Sequence, residues 1–332
     1  MPQPGTDLVA KEEAAIVDED AATVRTLNSV GIIVPVFNEV NAIEPFYRAL
    51  RPVLDDLQCT SKILFIDDGS TDTTRKVIRR LRRNDDRVHL VGLSRNFGKE
   101  AALSAGLDRI ESDVAIPIDV DLQDPPDLIP TLIERWRDGY DVVYAVRNDR
   151  AVDTVSKRLT AAAYYRIHNA ISNDPLPIGV GDFRLIDRKV VHALRQLPER
   201  NRFMKGLFAW VGFRSIGVPY VRAARHGGST RLPWRRLWRL ALDGITGFST
   251  LPLRIWTYMG LVIAFLAFVY GLIVILRTLI VGVDVPGYAS LIVAVLFLGG
   301  IQLVSLGVIG EYLGRLFIEA KQRPIYMVDE EE

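Results

Sequence analysis

The residues in this sequence best suited to chemistry lie in three acidic loops. Asp119-Val120-Asp121-Leu122-Gln123 puts two carboxylates at alternate positions and an amide oxygen two residues further on. At the end of a strand, that spacing can aim oxygen ligands at one hard cation. Magnesium and manganese favour such donors and keep phosphate and water ligands of their own. An isolated Asp-x-Asp equally suits a capped turn stopped by Pro125-Pro126, so its meaning depends on its neighbours. Those are Phe37-Asn38-Glu39 and Asp67-Asp68-Gly69-Ser70, each directly after an apolar, β-branched run.

Two other phosphate motifs fail. Gly92–Lys99 has five residues between its glycines and Glu100 where a P-loop needs Ser or Thr, and no GxGxxG follows the first apolar run. One cysteine, Cys59, rules out an internal disulfide framework and a multi-cysteine zinc site, and the four histidines have no metal-ligand spacing. With 41 Lys+Arg against 40 Asp+Glu, the 332-residue chain also lacks the charge of a nucleic-acid binder.

The elements that must position these loops follow from periodicity. Apolar runs at 30–36, 63–66, 88–93, 114–118 and 142–146 alternate with helical patterns at 42–57 and 73–82, with Asp72 suited to cap the second. Strands alternating with helices imply an α/β, mostly parallel, Rossmann-like sheet covered on both faces. Ligands of such sheets bind beyond the carboxyl ends of strands, where these loops gather.

The last third is different. Ile255–Leu276 and Val285–Gly310 are uncharged runs of 22 and 26 residues. At ~1.5 Å per residue, each can cross a hydrocarbon core of about 30 Å as a helix. Two crossings form a hairpin. Its flanks carry Arg222, Arg225, Arg231, Arg235, Arg236, Arg239 and Arg254 on one side and Arg315, Lys321 and Arg323 on the other. The positive-inside rule puts both flanks, and the large N-terminal part, in the cytoplasm. The acidic start has no basic signal-peptide region and reads as a mobile tail over residues 1–28. Trp234, Leu237, Trp238, Ala241, Ile245 and Phe248 recur at helical spacing opposite Arg235, Arg236 and Arg239, as in a helix lying in the membrane interface over residues 233–250. The expected order is therefore a catalytic unit at 29–232, that helix, two spans within 253–310, and a cytoplasmic tail at 311–332.

Taken together, Ile33–Glu39, Ile66–Asp72, Ser94–Glu100, Asp119–Pro126, Gly181-Asp182-Phe183-Arg184 and the C-terminal hairpin resemble the GT-A glycosyltransferases of family 2. Within these the chain resembles the polyprenyl-phosphate glycosyltransferases, particularly bactoprenol glucosyltransferases, with dolichol-phosphate mannose synthases as relatives. The resemblance covers residues 30–326 and implies a UDP-sugar donor, a polyprenyl phosphate acceptor, Mg2+ or Mn2+, and a bacterial inner-membrane location. It also implies a homo-oligomer, a tetramer in bactoprenol glucosyltransferases.

Carried over, Pro35, Phe37 and Glu39 border the base, Asp68 hydrogen-bonds it and Asp67 supports that loop. Arg95, Asn96 and Lys99 lie near the ribose and diphosphate. Asp119 reaches ribose or metal, while Asp121 and Gln123 hold the metal. Arg147 and Arg158 grip the acceptor phosphate, with Arg200, Arg202, Ser229 and Arg231 as further candidates. Asp182 orients a substrate or acts as base. A processive polysaccharide synthase would share the core but calls for QxxRW, and Leu132 stands where that Gln would precede Arg135-Trp136. A membrane-tethered nucleotide sensor stays open as a second alternative.

Overall fold

Strict alternation of side chains along a strand divides the first apolar run between two layers. In β1 (Ser29–Val36), Ile32 and Val34 face a core shared with Phe46, Phe65, Leu90 and Trp136, while Ile33 faces a second core with Ile66, Ala102 and Val191. Helices cover both faces, as a sheet of near-continuous apolar strands requires. The structure is a computed structural model and describes residues 25–147, 180–200, 202, 204–220, 251–281 and 287–332.

After β1 come α1 (Ile43–Asp56), β2 (Thr60–Asp67), α2 (Thr74–Arg82), β3 (Val88–Leu93), α3 (Lys99–Arg109) and β4 (Val114–Pro117). A 3-10 turn at Pro126–Leu128 leads into α4 (Ile129–Arg137) and β5 (Val142–Arg147). Then follow β6 (Val180–Asp187), α5 (Arg188–Gln196), α6 (Met204–Trp210) and β7 (Ser215–Tyr220). Two long helices, α7 (Leu251–Val281) and α8 (Tyr288–Ala320), precede a short β8 (Val328–Glu331).

The eight strands form one sheet in the order β7-β5-β6-β4-β1-β2-β3-β8. The expected strands and the first two helices are present. The sheet is mixed: four of its seven pairings are parallel, in line with the expected mostly parallel sheet, while β6 runs antiparallel to β4 and β5, and β8 antiparallel to β3. Periodicity alone did not locate β6, β7 or β8. Pro35 sits within central β1 at no cost to β4, whose pairing ends with Pro117 opposite Ile33.

Two expected boundaries also shift. Residues 25–28 belong to the folded unit: Arg25 pairs with Asp141 at 2.8 Å, stacks on Trp136, and donates to the Tyr140 carbonyl at 2.9 Å. Residues 1–24, the rest of the expected tail, lie outside the described residues, as does the expected interfacial helix at 233–250. In the last third, helix α8 begins after Gly287 and runs to Ala320, well past Gly310. Within it, Phe297–Ala320 is long and apolar enough to cross a membrane, alone among the described residues by that test of length and composition. Apolar side chains such as Phe265, Ile280, Leu303 and Phe317 are exposed along both long helices. The expected tail at 311–332 is instead the end of α8 followed by the edge strand β8.

Helix α3 lies close against the sheet at Gly106, where a Cβ would meet the Ile33 side chain at 2.3 Å. Gly106→Val is expected to push α3 off the sheet and cost about 1–3 kcal/mol. A lowered unfolding midpoint of the full-length protein in detergent would show it.

Candidate active site

The sheet brings the acidic loops together by register. Strand β6 pairs antiparallel with β4, Ala115 opposite Ile186. Carried four residues on, that register sets Asp182 opposite Asp119, just beyond the end of β4. Between them lies the Lys99 ammonium, from the first residue of α3. Its Nζ is 2.6 Å and 2.8 Å from the two Asp119 oxygens and 2.6 Å from Asp182 Oδ2.

Burial works against charge on Lys99, but Asp182 and Asp119 outweigh it and raise the ammonium above the ordinary lysine range. Burial also pushes against charge on Asp182. Lys99 and then Lys205 overcome that and bring its carboxyl down to about 2. Asp119 moves the other way, raised by burial despite Lys99.

Behind this bridge lies a second layer of charge. Arg184 is two residues after Asp182 on β6 and buried at 3% exposure. Its guanidinium stacks on Phe208, 4.0 Å from the ring centroid, and donates to the Gly181 carbonyl at 2.7 Å. Burial pulls its pKa down to about 10, with Asp182 and Glu100 opposing the fall. Glu100 Oε2 accepts from the Met204 amide at 3.2 Å, joining the start of α3 to the start of α6. Burial, and then Asp182, push Glu100 up to about 7. Lys205 is lowered by burial, with Asp182 acting against it.

The two nucleotide-side loops hold each other. Asn38 adopts a left-handed φ of 54°, and its Oδ1 accepts from the Thr71 amide at 2.9 Å, while its own amide donates to Ser70 Oγ at 2.9 Å. Asp68 is 4% exposed, and its oxygens accept from the Phe97 and Gly98 amides at 2.7 and 2.8 Å. In this arrangement its carboxylate braces the β3–α3 loop rather than facing outward to a base. Gly69, at φ +71°, lets that loop approach: a Cβ there would lie 2.3 Å from the Arg95 carbonyl carbon. Asp67 is fully buried and accepts from the Ser70 amide at 3.1 Å and from Arg75 Nε at 2.5 Å.

Other expected site residues take different positions. Phe37 is exposed at 42%, beyond the end of β1 that carries Pro35, and Glu39 donates its amide to Thr74 Oγ1. Arg95 lies over Phe97, and Asn96 is exposed beside it. Asp121 Oδ1 accepts from the Gln123 amide at 3.1 Å, and Leu122 between them has φ 56°. Arg147 ends β5 opposite Tyr220, whose hydroxyl donates to buried Asp124.

Arg200 and Arg202 make their contacts with backbone carbonyls and with the end of α8. Arg200 donates its amide to Glu319 and its Nε to the Arg323 carbonyl, and Arg202 donates to the Leu197 and Glu199 carbonyls. The Arg200 contacts fasten the end of α8, whereas those of Arg202 stay within the turn that precedes Arg202 in the chain. Arg158, Ser229 and Arg231 lie outside the described residues. The sequence reading missed Arg75 and Arg184 as site residues and gave Glu100 no role. The alternation from Asp182 to Arg184 was the one available signal.

The mixed α/β sheet, with charged loops and a bridged carboxylate pair beyond its central strands, is GT-A-like, as the match to known families shows. Residues 31–195 match the family model described as glycosyl transferase family 2, and residues 251–316 match the one described as the GtrB C-terminal hairpin. The chain belongs to glycosyl transferase family 2, as a GtrB-like member. It is similar to a prophage bactoprenol glucosyl transferase homolog of Escherichia coli, with 52% identity over 90% of this chain and 98% of that one. It is similar also to the bactoprenol glucosyl transferase of Shigella phage SfV, with 50% identity over 91% of this chain and 99% of that one. A solved mannosyltransferase from Pyrobaculum calidifontis aligns at 18% identity and a TM-score of 0.45, covering 66% of this chain and 61% of that one.

Glu100 generates a pH prediction. With its folded value near 7 and above the unfolded one, the folded state holds the extra proton between the ordinary carboxylate range and about 7. Its contribution to stability is therefore present at low pH and is lost as pH rises through about 7. Glu100→Gln is expected to flatten the fall in unfolding midpoint between pH 5.5 and 8. A wild-type slope retained in this variant would contradict it.

Proposed function

We propose that this protein transfers a hexose, glucose from UDP-glucose, to the phosphate of a membrane polyprenyl phosphate of the bactoprenol type at the cytoplasmic leaflet. The observation that carries the reading is near-full-length similarity to bactoprenol glucosyl transferases, combined with a charged cluster built at the ends of β4 and β6. In this reading α7 and α8 are the two arms of a transmembrane hairpin, and the sheet domain stays on the cytoplasmic side. Arginines around the hairpin ends support that orientation. A homo-oligomer, a tetramer as in the resembling enzymes, is part of the same reading.

The donor nucleotide lies over the loops after β1 and β2. Pro35, Phe37 and Glu39 border the base, Asp67 and Asp68 hold the loops in place, and Arg95, Asn96 and Lys99 face the ribose and diphosphate. Among the described residues no three acidic, His or Cys side chains converge as a metal cluster. The donors on the β4 loop are nevertheless oxygen only, which fits Mg2+ or Mn2+ with room left for diphosphate and water. Asp119, Asp121 and Gln123 would hold that ion, which would neutralise charge on the departing nucleoside diphosphate.

The acceptor enters from the membrane side, with Arg147 and Arg158 gripping its phosphate through their planar forks. A phosphate monoester with a second pKa near ~6 is already largely ionised at neutral pH and attacks the anomeric carbon directly, inverting it. Little is left for a general base to do. Asp182, held by Lys99 at about 2, is a weak proton acceptor, and its role is to orient Lys99 and the sugar.

The test is transfer of label from UDP-glucose into butanol-extractable lipid by the purified protein in liposomes containing undecaprenyl phosphate. Label is expected in the lipid fraction and is expected to fall when chelator is added. Asp119→Ala with Asp121→Ala is expected to lower transfer by about a hundredfold or more, in line with loss of oriented charge at a transition state. Full transfer by that double variant would sink the metal-assisted reading, and label found only in insoluble polymer would favour a synthase. Asp182→Asn is expected to reduce turnover without removing an acidic limb from the pH–rate profile. Loss of such a limb would make Asp182 the base.

A further inference from the structure

Arg75, on the first turn of α2, is joined both to the buried Asp67 and to a strand more than two hundred residues away. Its Nε meets Asp67 Oδ2 at 2.5 Å, its Nη2 donates to the Leu93 carbonyl at 2.8 Å, and its Nη1 reaches Asp329 and Glu330 at 3.0 and 3.1 Å. The other Asp67 oxygen, Oδ1, is buried without a hydrogen-bond partner among the described residues. Arg75 is thus the cationic partner of a carboxylate that has only the Ser70 amide besides. A buried charge with so few partners depends on the one it has.

The acidic strand is built to hold that arginine. β8 pairs with β3, Gly92 opposite Glu330, and Leu90 and Glu332 exchange backbone hydrogen bonds at 3.0 and 2.8 Å. Arg79 pairs with Glu330 and Glu332, Arg82 with Glu332, and Arg109 with Glu331. Gly92 leaves the space: a Cβ there would lie 2.8 Å from Glu330 Cγ and 3.1 Å from Arg75 Cζ. The spacing Arg75, Arg79, Arg82 sets one basic face of α2 along the acidic strand.

We propose that Arg75 and the acidic strand β8 form a positioning unit for the donor nucleotide: Asp329 and Glu330 fix Arg75, Arg75 fixes Asp67, and Asp67 shapes the Asp67–Ser70 loop. This rests on the reading that the loop binds the nucleotide. None of the four residues need touch the ligand. The Ser70 hydroxyl accepts from the Asn38 amide, so a disturbance at Asp67 reaches both nucleotide-side loops.

Titration calorimetry of UDP into the full-length protein in nanodiscs, with GDP alongside, tests the coupling without the lipid acceptor. Asp329→Asn with Glu330→Gln is expected to weaken nucleotide binding by about three- to thirtyfold, the usual range for residues that modulate a site without touching its ligand. Arg75→Met is expected to weaken it at least as much, and Arg75→Lys to recover part of the loss. In transfer assays the donor KM is expected to rise in step while the acceptor KM stays put. Unchanged nucleotide affinity in the Asp329/Glu330 variant overturns the inference, including where that variant lowers the unfolding midpoint, because β8 would then be only a strap. Wild-type protein that binds neither nucleotide would instead remove the donor-site reading on which the inference stands.

Discussion

One ammonium group between two carboxylates organises the end of this sheet. Asp119 leaves β4 and Asp182 begins near the start of β6, and the antiparallel register sets them face to face. Two carboxylates that close repel unless one is protonated or a cation lies between them. Lys99 supplies the cation, and it does so from the first residue of α3. Three elements distant in sequence therefore meet at one Nζ. The loop before Lys99 is held in turn by Asp68, through the Phe97 and Gly98 amides, so the bridge is braced from the β2 side as well.

The charges behind the bridge explain why it is kept polar. Arg184 and Lys205 both lose ground to burial, and Glu100 is pushed toward neutrality, yet each lies near Asp182. A set of buried and half-buried charges of both signs is a poor way to gain stability, since the cost of removing water offsets most of the attraction. Its retention beside the loops after β1, β2 and β4 is what a site that receives an anionic ligand requires. Donors already fixed in place need not reorganise when the ligand's charge arrives.

Much of this was legible in the sequence, and what was not has physical causes. The β-branched runs gave β1 to β5, because a strand buried on both faces is a near-continuous apolar stretch. Strand β6 escaped because its alternation of Asp182 and Arg184 with Phe183 and Leu185 looks like a surface strand, although Arg184 is buried. Strand β8, Val-Asp-Glu-Glu, has no apolar pattern at all; it is a strand because the arginines of α2 and α3 neutralise it at the edge of β3. The motif residues Asp67, Asp68, Lys99, Asp119 and Asp182 do converge at one end of the sheet. Their partners could not be read, since the hydrogen bonds that Asp68 accepts from the Phe97 and Gly98 amides, about thirty residues away, depend on the close approach allowed at Gly69.

The same logic joins the long helices to the sheet. From Glu319 at the end of α8 onward the chain is fastened at successive points. Glu319 accepts from the Arg200 amide, Tyr326 lies under Arg109 with its hydroxyl donating to Asp108, and β8 then closes the open edge of β3. Apart from the aromatic stack and the strand itself these contacts are polar, and exposed ion pairs of this kind contribute about 0.2–1 kcal/mol each. No single one could hold a helix of 33 residues in a fixed relation to the sheet. The strand can, because its backbone bonds fix a register and its acidic side chains recognise that register through Arg75, Arg79 and Arg109. An edge strand left bare would offer its backbone to any other chain. Covering it with the segment that leaves the apolar helix removes that hazard and ties the end of α8, through Arg75, to the loop that Asp67 shapes.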